Sequence, residues 1–323
     1  MVRDRPFATY VLAVFVILSL NFILPRLMPG DPLLAIYGEE ALLAMSPELK
    51  EELVRRFSLD RSLSAQFLAY LAALFRGDLG HSYYFSAPVS RVLLGFLPWT
   101  LLLTGVALCL CAALGVVLGI ESGARRGRPQ DAVLLSSALF LGGFPDFFAG
   151  TLLLLFFGVT LGVAPLAGAL TPYAGKAGLS LVLDVLHHLT LPLLTLVVVR
   201  VGPFYLLTRN TMVTTLGEAF ILTARAKGCP DRTVRYRHAG RHSLLPVVTA
   251  AGLQYAHLIT GALFVEMVFS YPGMGTLLYR ALLTRDYPLI QGILLTAALA
   301  VLTVNFLLEL VYVKVDPRVV RAR

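Results

Sequence analysis

Charged side chains are scarce in this chain: Asp, Glu, Lys and Arg make up only 14% of its 323 residues. Soluble domains carry about 25% charged residues, so this scarcity excludes an ordinary soluble protein. Cysteine is also rare, and Cys109, Cys111 and Cys229 form neither a disulfide framework nor a metal-ligand pattern. Because 57% of the residues are hydrophobic, the composition predicts an integral membrane protein.

Motifs for nucleotide binding and catalysis are absent as well. The phosphate-binding pattern Gly-x-x-x-x-Gly-Lys-Ser/Thr does not occur, because the single pair Gly175-Lys176 is followed by alanine and lacks the upstream glycine. His238 and His242 have helical spacing for a metal pair, but the arginines around them would repel a cation. No serine lies in a nucleophile elbow. The sequence therefore favours a non-catalytic membrane subunit that binds no cofactor or metal of its own.

Six apolar runs are long enough to cross about 30 Å of hydrocarbon. They predict an all-α integral membrane fold with six transmembrane helices, in runs 6–25, 92–120, 132–163, 187–207, 244–268 and 289–313. Glycine and proline at 142–146 interrupt the third run, which predicts one kinked span and leaves two half-spans as the alternative. The chain divides accordingly into a first transmembrane helix 1–25, a helical insert 26–97, a five-helix core 98–313 and a tail 314–323.

Basic residues are concentrated on one side of the predicted membrane. The termini and loops on that side hold 16 of the 27 Lys and Arg, against 6 acidic residues. Because cytoplasmic loops carry an excess of Lys and Arg, both termini are predicted to be cytoplasmic and the insert 26–97 extracytoplasmic. This topology accounts for the net charge of +8 without nucleic acid as a partner.

The cytoplasmic loop 209–243 is the long basic segment between two spans. Thr215-Leu216-Gly217-Glu218 has the spacing of a capping box and predicts the start of a helix. Gly228 suits a left-handed C-cap, Pro230 stops the helix, and Asp231 is predicted to cap a second helix. A helix, a corner and a second helix would form a handle that a soluble partner can grip. The alternative is an ordinary basic loop.

Four ionisable residues lie at membrane depth: Asp146, Arg200, Glu266 and Glu309. Each costs about 2.5–3.5 kcal/mol at the centre of a membrane helix, so each needs protein or water around it. One interpretation is a water-lined translocation path, with Asp146 and Glu266 as its candidate residues. The other is polar contact between helices, or side chains that extend toward the membrane surface.

The handle resembles the cytoplasmic loop motif in permease subunits of binding-protein-dependent ATP-binding-cassette (ABC) importers. The similar residues are Leu222, Thr223, Ala224, Arg225, Ala226, Lys227 and Gly228. The general motif begins Glu-Ala-Ala, whereas Leu222 and Thr223 stand at its first two positions here, so no role for an acidic residue is carried over. The oligopeptide, dipeptide and nickel branch is resembled most, through stretches that follow in order along the chain: RLMPGDP at 26–32, LDR at 59–61, RGDLG at 76–80, LTLP at 189–192, RNTM at 209–212, EMVFSYPGMG at 266–275, RDYP at 285–288 and DPR at 316–318.

This resemblance implies a permease that forms half of the translocation path of an importer, in the lipid of a bacterial or archaeal inner membrane. The expected partners are a second homologous permease, an extracytoplasmic solute-binding protein, and two ATPase subunits that bind ATP and magnesium. The handle would be the coupling helix on which an ATPase docks. Di- and oligopeptides are the expected substrates, with nickel or another small solute as the alternative. A secondary transporter or channel, and a membrane-embedded enzyme, are the other classes.

Overall fold

The computed structural model describes residues 15–23, 26–27, 33, 37–56 and 62–315, and this part of the chain is helical without a β-strand. Its helices in chain order are α1 Glu39–Ala44, α2 Pro47–Arg56, α3 Leu63–Phe75, α4 Val89–Ala124, α5 Pro129–Gly142, α6 Asp146–Leu153, α7 Leu179–Thr215, α8 Ala219–Ala226, α9 Asp231–Thr233, α10 Gly240–Val268, α11 Met274–Leu283 and α12 Tyr287–Val315. Wider π-helical turns continue α6 over Leu154–Thr160 and join α9 to α10 over Val234–Ala239. The predicted all-α fold is confirmed.

Four helices of the described residues are long and apolar enough to cross a membrane: Val89–Ala124, Leu179–Thr215, Pro246–Val268 and Tyr287–Leu308. The pair Pro129–Gly142 and Asp146–Thr160 provides a fifth crossing if its two halves form one span. The first predicted span, 6–25, lies mostly outside the described residues, although 15–23 is helical. The four long helices thus correspond to the second, fourth, fifth and sixth predicted spans, and the bent pair to the third.

The third predicted span is broken at the glycine- and proline-containing stretch. Its two halves, α5 and α6, are bent by 101° relative to each other. Pro145 has no N–H to donate and stands immediately before the first residue of α6. Asp146 therefore begins a new helix, at the position where the sequence predicts the interruption.

The helix predicted to start at Thr215 begins later than the capping-box pattern indicates. α7 runs through Thr215, because Thr208, Met212 and Thr215 on its last turns are buried and packing sustains the helix. α8 starts at Ala219, and the Glu218 side chain before it makes no capping hydrogen bond. The capping-box prediction is therefore wrong, since its residues end one helix and form the turn to the next.

The second helix of the handle is continuous with the fifth span. Asp231 is its first helical residue instead of its N-cap, and the Asp231 carboxylate accepts a hydrogen bond from Arg235 at 2.8 Å. The predicted cap at Asp231 is therefore wrong, because Pro230 occupies the capping position. From Asp231 the helix continues through the π-helical turns into α10.

The chain divides into two compact units. One comprises Met1–Leu97 and Leu277–Leu299, and the other comprises Pro98–Thr276 and Ala300–Arg323. The second unit carries the handle, and its most extensive helix contact is between α7 and α10. Leucines of α7 and α10 are fully buried there, with Leu196 at the centre of the apolar core.

In the first unit, a buried carboxylate joins the insert to the loop before α12. Asp286 accepts hydrogen bonds from Ser82 Oγ at 2.5 Å, the Tyr84 N–H at 3.0 Å and the Leu289 N–H at 3.2 Å. Burial raises the pKa of the Asp286 carboxyl. The RDYP stretch noted in the sequence thus has a structural role in this unit.

Glu51 offers a test of the predicted orientation, because its side chain on α2 is 71% exposed. In a background without Cys109, Cys111 and Cys229, Glu51→Cys should react with an impermeant thiol reagent added to intact spheroplasts. The matched variant Arg237→Cys, also at an exposed position, should react only after permeabilisation. The opposite pair of results would show that the insert is cytoplasmic.

Candidate functional site

The first helix and the corner of the predicted handle, residues 219–228, end in a left-handed glycine, and from here on the name handle is used for these residues alone. The Gly228 N–H donates to the Arg225 carbonyl at 2.9 Å, and the Cys229 N–H donates to the Ala224 carbonyl at 3.2 Å. Gly228 has φ +74°, and no atom lies within 4 Å of the place where its Cβ would stand. The need for glycine is therefore conformational, since a residue with a Cβ costs about 1–2 kcal/mol in this region. The predicted corner at Gly228 is confirmed.

One face of the handle packs against the chain's own spans. Ile221 and Ala224 join a buried apolar cluster with four residues that we call the socket: Ile120 of α4, Met212 of α7, and Val234 and Ala239 of the turns before α10. The socket therefore combines the second, fourth and fifth spans. Because the cluster is apolar and excludes water, the handle is held by packing.

Ala224, although it belongs to the motif on which a partner is expected to dock, lies on this inner face. Only 6% of Ala224 is exposed, so its small side chain allows the handle to lie close to the socket. The other six residues of the resembling motif are exposed, and Leu222 is 61% exposed. Phe220 is exposed as well, with its ring 4.9 Å from that of His242. Neighbouring motif residues are thus divided between two faces by the helical period.

The outer face of the handle is apolar and basic. Leu222 and Phe220 are large exposed hydrophobic residues, and Arg225 and Lys227 extend beside them. Neither Arg225 nor Lys227 forms an ion pair with another residue in the described part of the chain. An apolar patch with unpaired cations at its edge has the character of a protein-binding surface with an acidic partner.

Asp146 is paired within the protein. Arg200 of α7 donates two hydrogen bonds to it, from Nε to Oδ1 at 2.9 Å and from Nη2 to Oδ2. The Asp146 carboxylate is buried, while Arg200 is half-buried. Gly261 of α10 lies against the same carboxylate, since a Cβ there would come within 2.9 Å of it. The pair thus fastens the start of α6 to α7, which is the polar-contact interpretation; a role of Asp146 in the path stays a prediction.

Glu266 is fully buried and holds the beginning of α11. Its carboxylate accepts hydrogen bonds from Thr100 Oγ1 at 2.6 Å and from the Gly275 N–H at 2.6 Å. Thr100 Oγ1 in turn accepts from the Met274 N–H at 2.7 Å. A Cβ at Gly273 would overlap the Glu266 carboxyl group. The turn Pro272-Gly273-Met274-Gly275 therefore folds closely around this side chain. The sequence contains the turn residues, but no local pattern indicates that Thr100 would meet Glu266.

Comparison with known proteins defines the class. The family described as binding-protein-dependent transport system inner membrane component matches residues 115–321. The chain belongs to this family, and is therefore a multi-pass inner-membrane permease component of a transport system with a binding protein and an ATPase. Its resemblance to the ABC importer permeases, noted from the handle and the ordered motifs, is confirmed.

Relatives place the chain in the dipeptide and oligopeptide branch. It is 35% identical to the di/tripeptide transport system permease protein DppB of Pseudomonas aeruginosa, over 94% of both chains. It is 38% identical to a putative peptide permease protein of Brucella ovis, over 93% of this chain and 92% of that protein. Identity to the dipeptide transport system permease protein DppB of Escherichia coli is 32%, over 93% of both chains.

The protein should lose more stability when one partner of the Asp146–Arg200 pair is removed than when both are removed. Breaking a buried ion pair on one side costs about 3–5 kcal/mol, because an uncompensated charge remains. Asp146→Leu should therefore lower the unfolding temperature of the purified protein, and the double variant with Arg200→Leu should recover most of the loss. Glu51→Gln, in an exposed pair, is the control with little effect. Equal losses in the single and double variants would contradict the pair's role.

The buried Glu266 carboxylate should be replaceable only by another double acceptor. Glutamine offers one acceptor oxygen and turns its NH2 toward a donor, so Glu266→Gln should weaken the start of α11 by about 1–3 kcal/mol. Hydrogen exchange at Met274 and Gly275 should accelerate, since their N–H groups depend on this cluster. Thr100→Ser keeps the hydroxyl and is the control. Unchanged exchange in Glu266→Gln would show that the cluster is not needed.

Proposed function

We propose that this chain is one of the permease subunits of an ATP-driven importer for di- and oligopeptides. The observation that carries the proposal is the handle, whose outer face is exposed while its inner face packs on three spans. A surface of this kind receives a push from outside and passes it to the membrane helices. The peptide substrate is supported by relatives that are named as di/tripeptide, peptide and dipeptide permeases.

The chain would act as half of a translocation path, beside a second homologous permease. Two ATPase subunits would dock on the handles and hold ATP and magnesium, so that this chain binds no nucleotide or metal. A solute-binding protein would deliver peptides on the extracytoplasmic side. The charge distribution supports this orientation, with the basic loop 209–243 and both termini cytoplasmic.

The outer face of the handle would supply the contact with the ATPase. Leu222 would enter an apolar depression, and Arg225 and Lys227 would pair with acidic groups that set the orientation of docking. Thr223, Ala226 and Gly228 complete this face and are exposed as well. Ile221 and Ala224 would carry the displacement inward, because they are packed into the socket. The spans would then alternate as rigid bodies when the ATPase subunits close.

Two arginines of the same loop test whether docking is specific to the handle. Arg225→Glu reverses a charge on the handle, and Arg237→Glu makes the same change at an exposed position outside it. In the reconstituted complex, Arg225→Glu should lower peptide-stimulated ATP hydrolysis about tenfold, equivalent to about 1.4 kcal/mol of contact energy. Arg237→Glu should have little effect, and binding-protein docking should persist in both.

If Arg225→Glu and Arg237→Glu lowered peptide-stimulated ATP hydrolysis equally, docking would depend on the positive charge of the whole loop and not on the handle. Co-purification of the ATPase subunits with the wild-type chain in mild detergent tests the complex directly. A chain that transports peptides without any ATPase partner would contradict the proposed function.

A further inference from the structure

The second and fourth spans touch backbone to backbone at the ends that carry the socket. Gly115, Gly119 and Gly123 follow each other every four residues on α4 and therefore share one face. A Cβ at Gly115 would lie 2.9 Å from the Tyr205 nitrogen of α7, and one at Gly119 would lie 2.8 Å from the Tyr205 carbonyl oxygen. At Gly123 it would lie 3.0 Å from the Arg209 carbonyl oxygen.

Only some of the glycines of α4 lie in this close contact. Gly95 and Gly105 lie on the same helix, yet nothing stands within 4 Å of either Cβ position. Small residues allow membrane helices to approach closely and gain packing contacts. The three glycines therefore mark a local seam between α4 and α7, which runs toward the socket.

A buried carboxylate closes this seam. Asp131, in the first turn of α5, accepts hydrogen bonds from Arg209 Nε at 2.6 Å and Arg209 Nη2 at 2.7 Å. It also accepts from Ser122 Oγ at 2.5 Å and from the Gly127 N–H at 3.0 Å. The hydroxyl groups of Ser122 and Tyr205 lie 2.7 Å apart. One side chain thus connects the end of α4, the following turn, the start of α5, and α7.

The cluster lies next to the two socket residues that these spans contribute. Ser122 is two residues beyond Ile120 on α4, and Arg209 is one helical turn before Met212 on α7. A Cβ at Gly123 would also come within 2.6 Å of the Met212 Cβ. Sliding of α4 along α7 would therefore move Ile120 and Met212 apart and break the bidentate contact of Asp131 with Arg209.

We infer that Asp131 and Arg209 are positioning residues for coupling. They hold α4 and α7 in one register, so that displacement of the handle moves both spans together. Without this contact, the push on Ile221 and Ala224 would be absorbed by sliding at the seam. A paired arginine fork suits this task, because its planar geometry fixes orientation as well as distance. The inference rests on the proposed function, in which the handle receives the push.

The variant Asp131→Asn tests the inference, since asparagine keeps the size but cannot accept both Arg209 donors. It is compared with wild type in proteoliposomes that contain the complete importer. Assembly and basal ATP hydrolysis should persist, whereas the number of peptides taken up per ATP hydrolysed should fall about tenfold, equivalent to about 1.4 kcal/mol.

Asp184→Asn is the matched control. Asp184 is also buried and lies on α7, where it accepts from the Thr171 N–H at 2.7 Å, Thr171 Oγ1 at 2.7 Å and Lys176 Nζ at 2.6 Å. It is about seven helical turns from Arg209 and contributes nothing to the socket. Its loss should lower the unfolding temperature as Asp131→Asn does, but leave uptake per ATP unchanged.

The inference is overturned if both variants lose stability while neither changes uptake per ATP. If Asp131→Asn does not assemble, Tyr205→Phe decides, because it keeps Asp131 and removes the hydroxyl that contacts Ser122 and interacts with Arg209. Tyr205→Phe should lower uptake per ATP by a smaller factor, and an unchanged ratio would contradict the inference. Failure of the proposed function is distinguishable, since Arg225→Glu would then leave peptide-stimulated hydrolysis intact.

Discussion

Polar groups inside the spans must find their partners within the protein, because the lipid around them offers none. The buried carboxylates of the second unit meet this constraint either with charged side chains or with neutral hydrogen-bond donors. Asp131 and Asp146 accept arginine forks, and Glu266 accepts a hydroxyl and a backbone N–H. The result is a set of fixed contacts between helices at the places where the chain changes direction.

The attachment of the handle depends on the opposite requirement, which is that apolar side chains be buried away from water. The handle lies outside the apolar layer, so its inner face must be apolar to remain attached to the spans. Ile221 and Ala224 fulfil this with the socket, while Leu222, Arg225 and Lys227 remain available for a partner. A loop attached by hydrogen bonds alone would exchange them with water and transmit displacement poorly. The handle is instead attached by apolar packing with residues of three helical segments.

Several local features were predictable because their causes lie within a few residues. The corner at Gly228 requires a positive φ, and the break before Asp146 follows from Pro145. The capping box at Thr215 failed, since burial of the last turns of α7 overrides a local hydrogen-bonding preference.

The sequence by itself determined the membrane class, the apolar spans, the basic handle and its family, because composition, length and ordered motifs require no knowledge of distant contacts. The tertiary structure alone decided that Asp146 meets Arg200, that Glu266 meets Thr100, and that Asp131 meets Arg209. It also turned Ala224 inward, against Met212 and Ile120. The hydrogen-bonded partners are 54, 166 and 78 residues apart, and only the packing of the helices sets which side chains face each other.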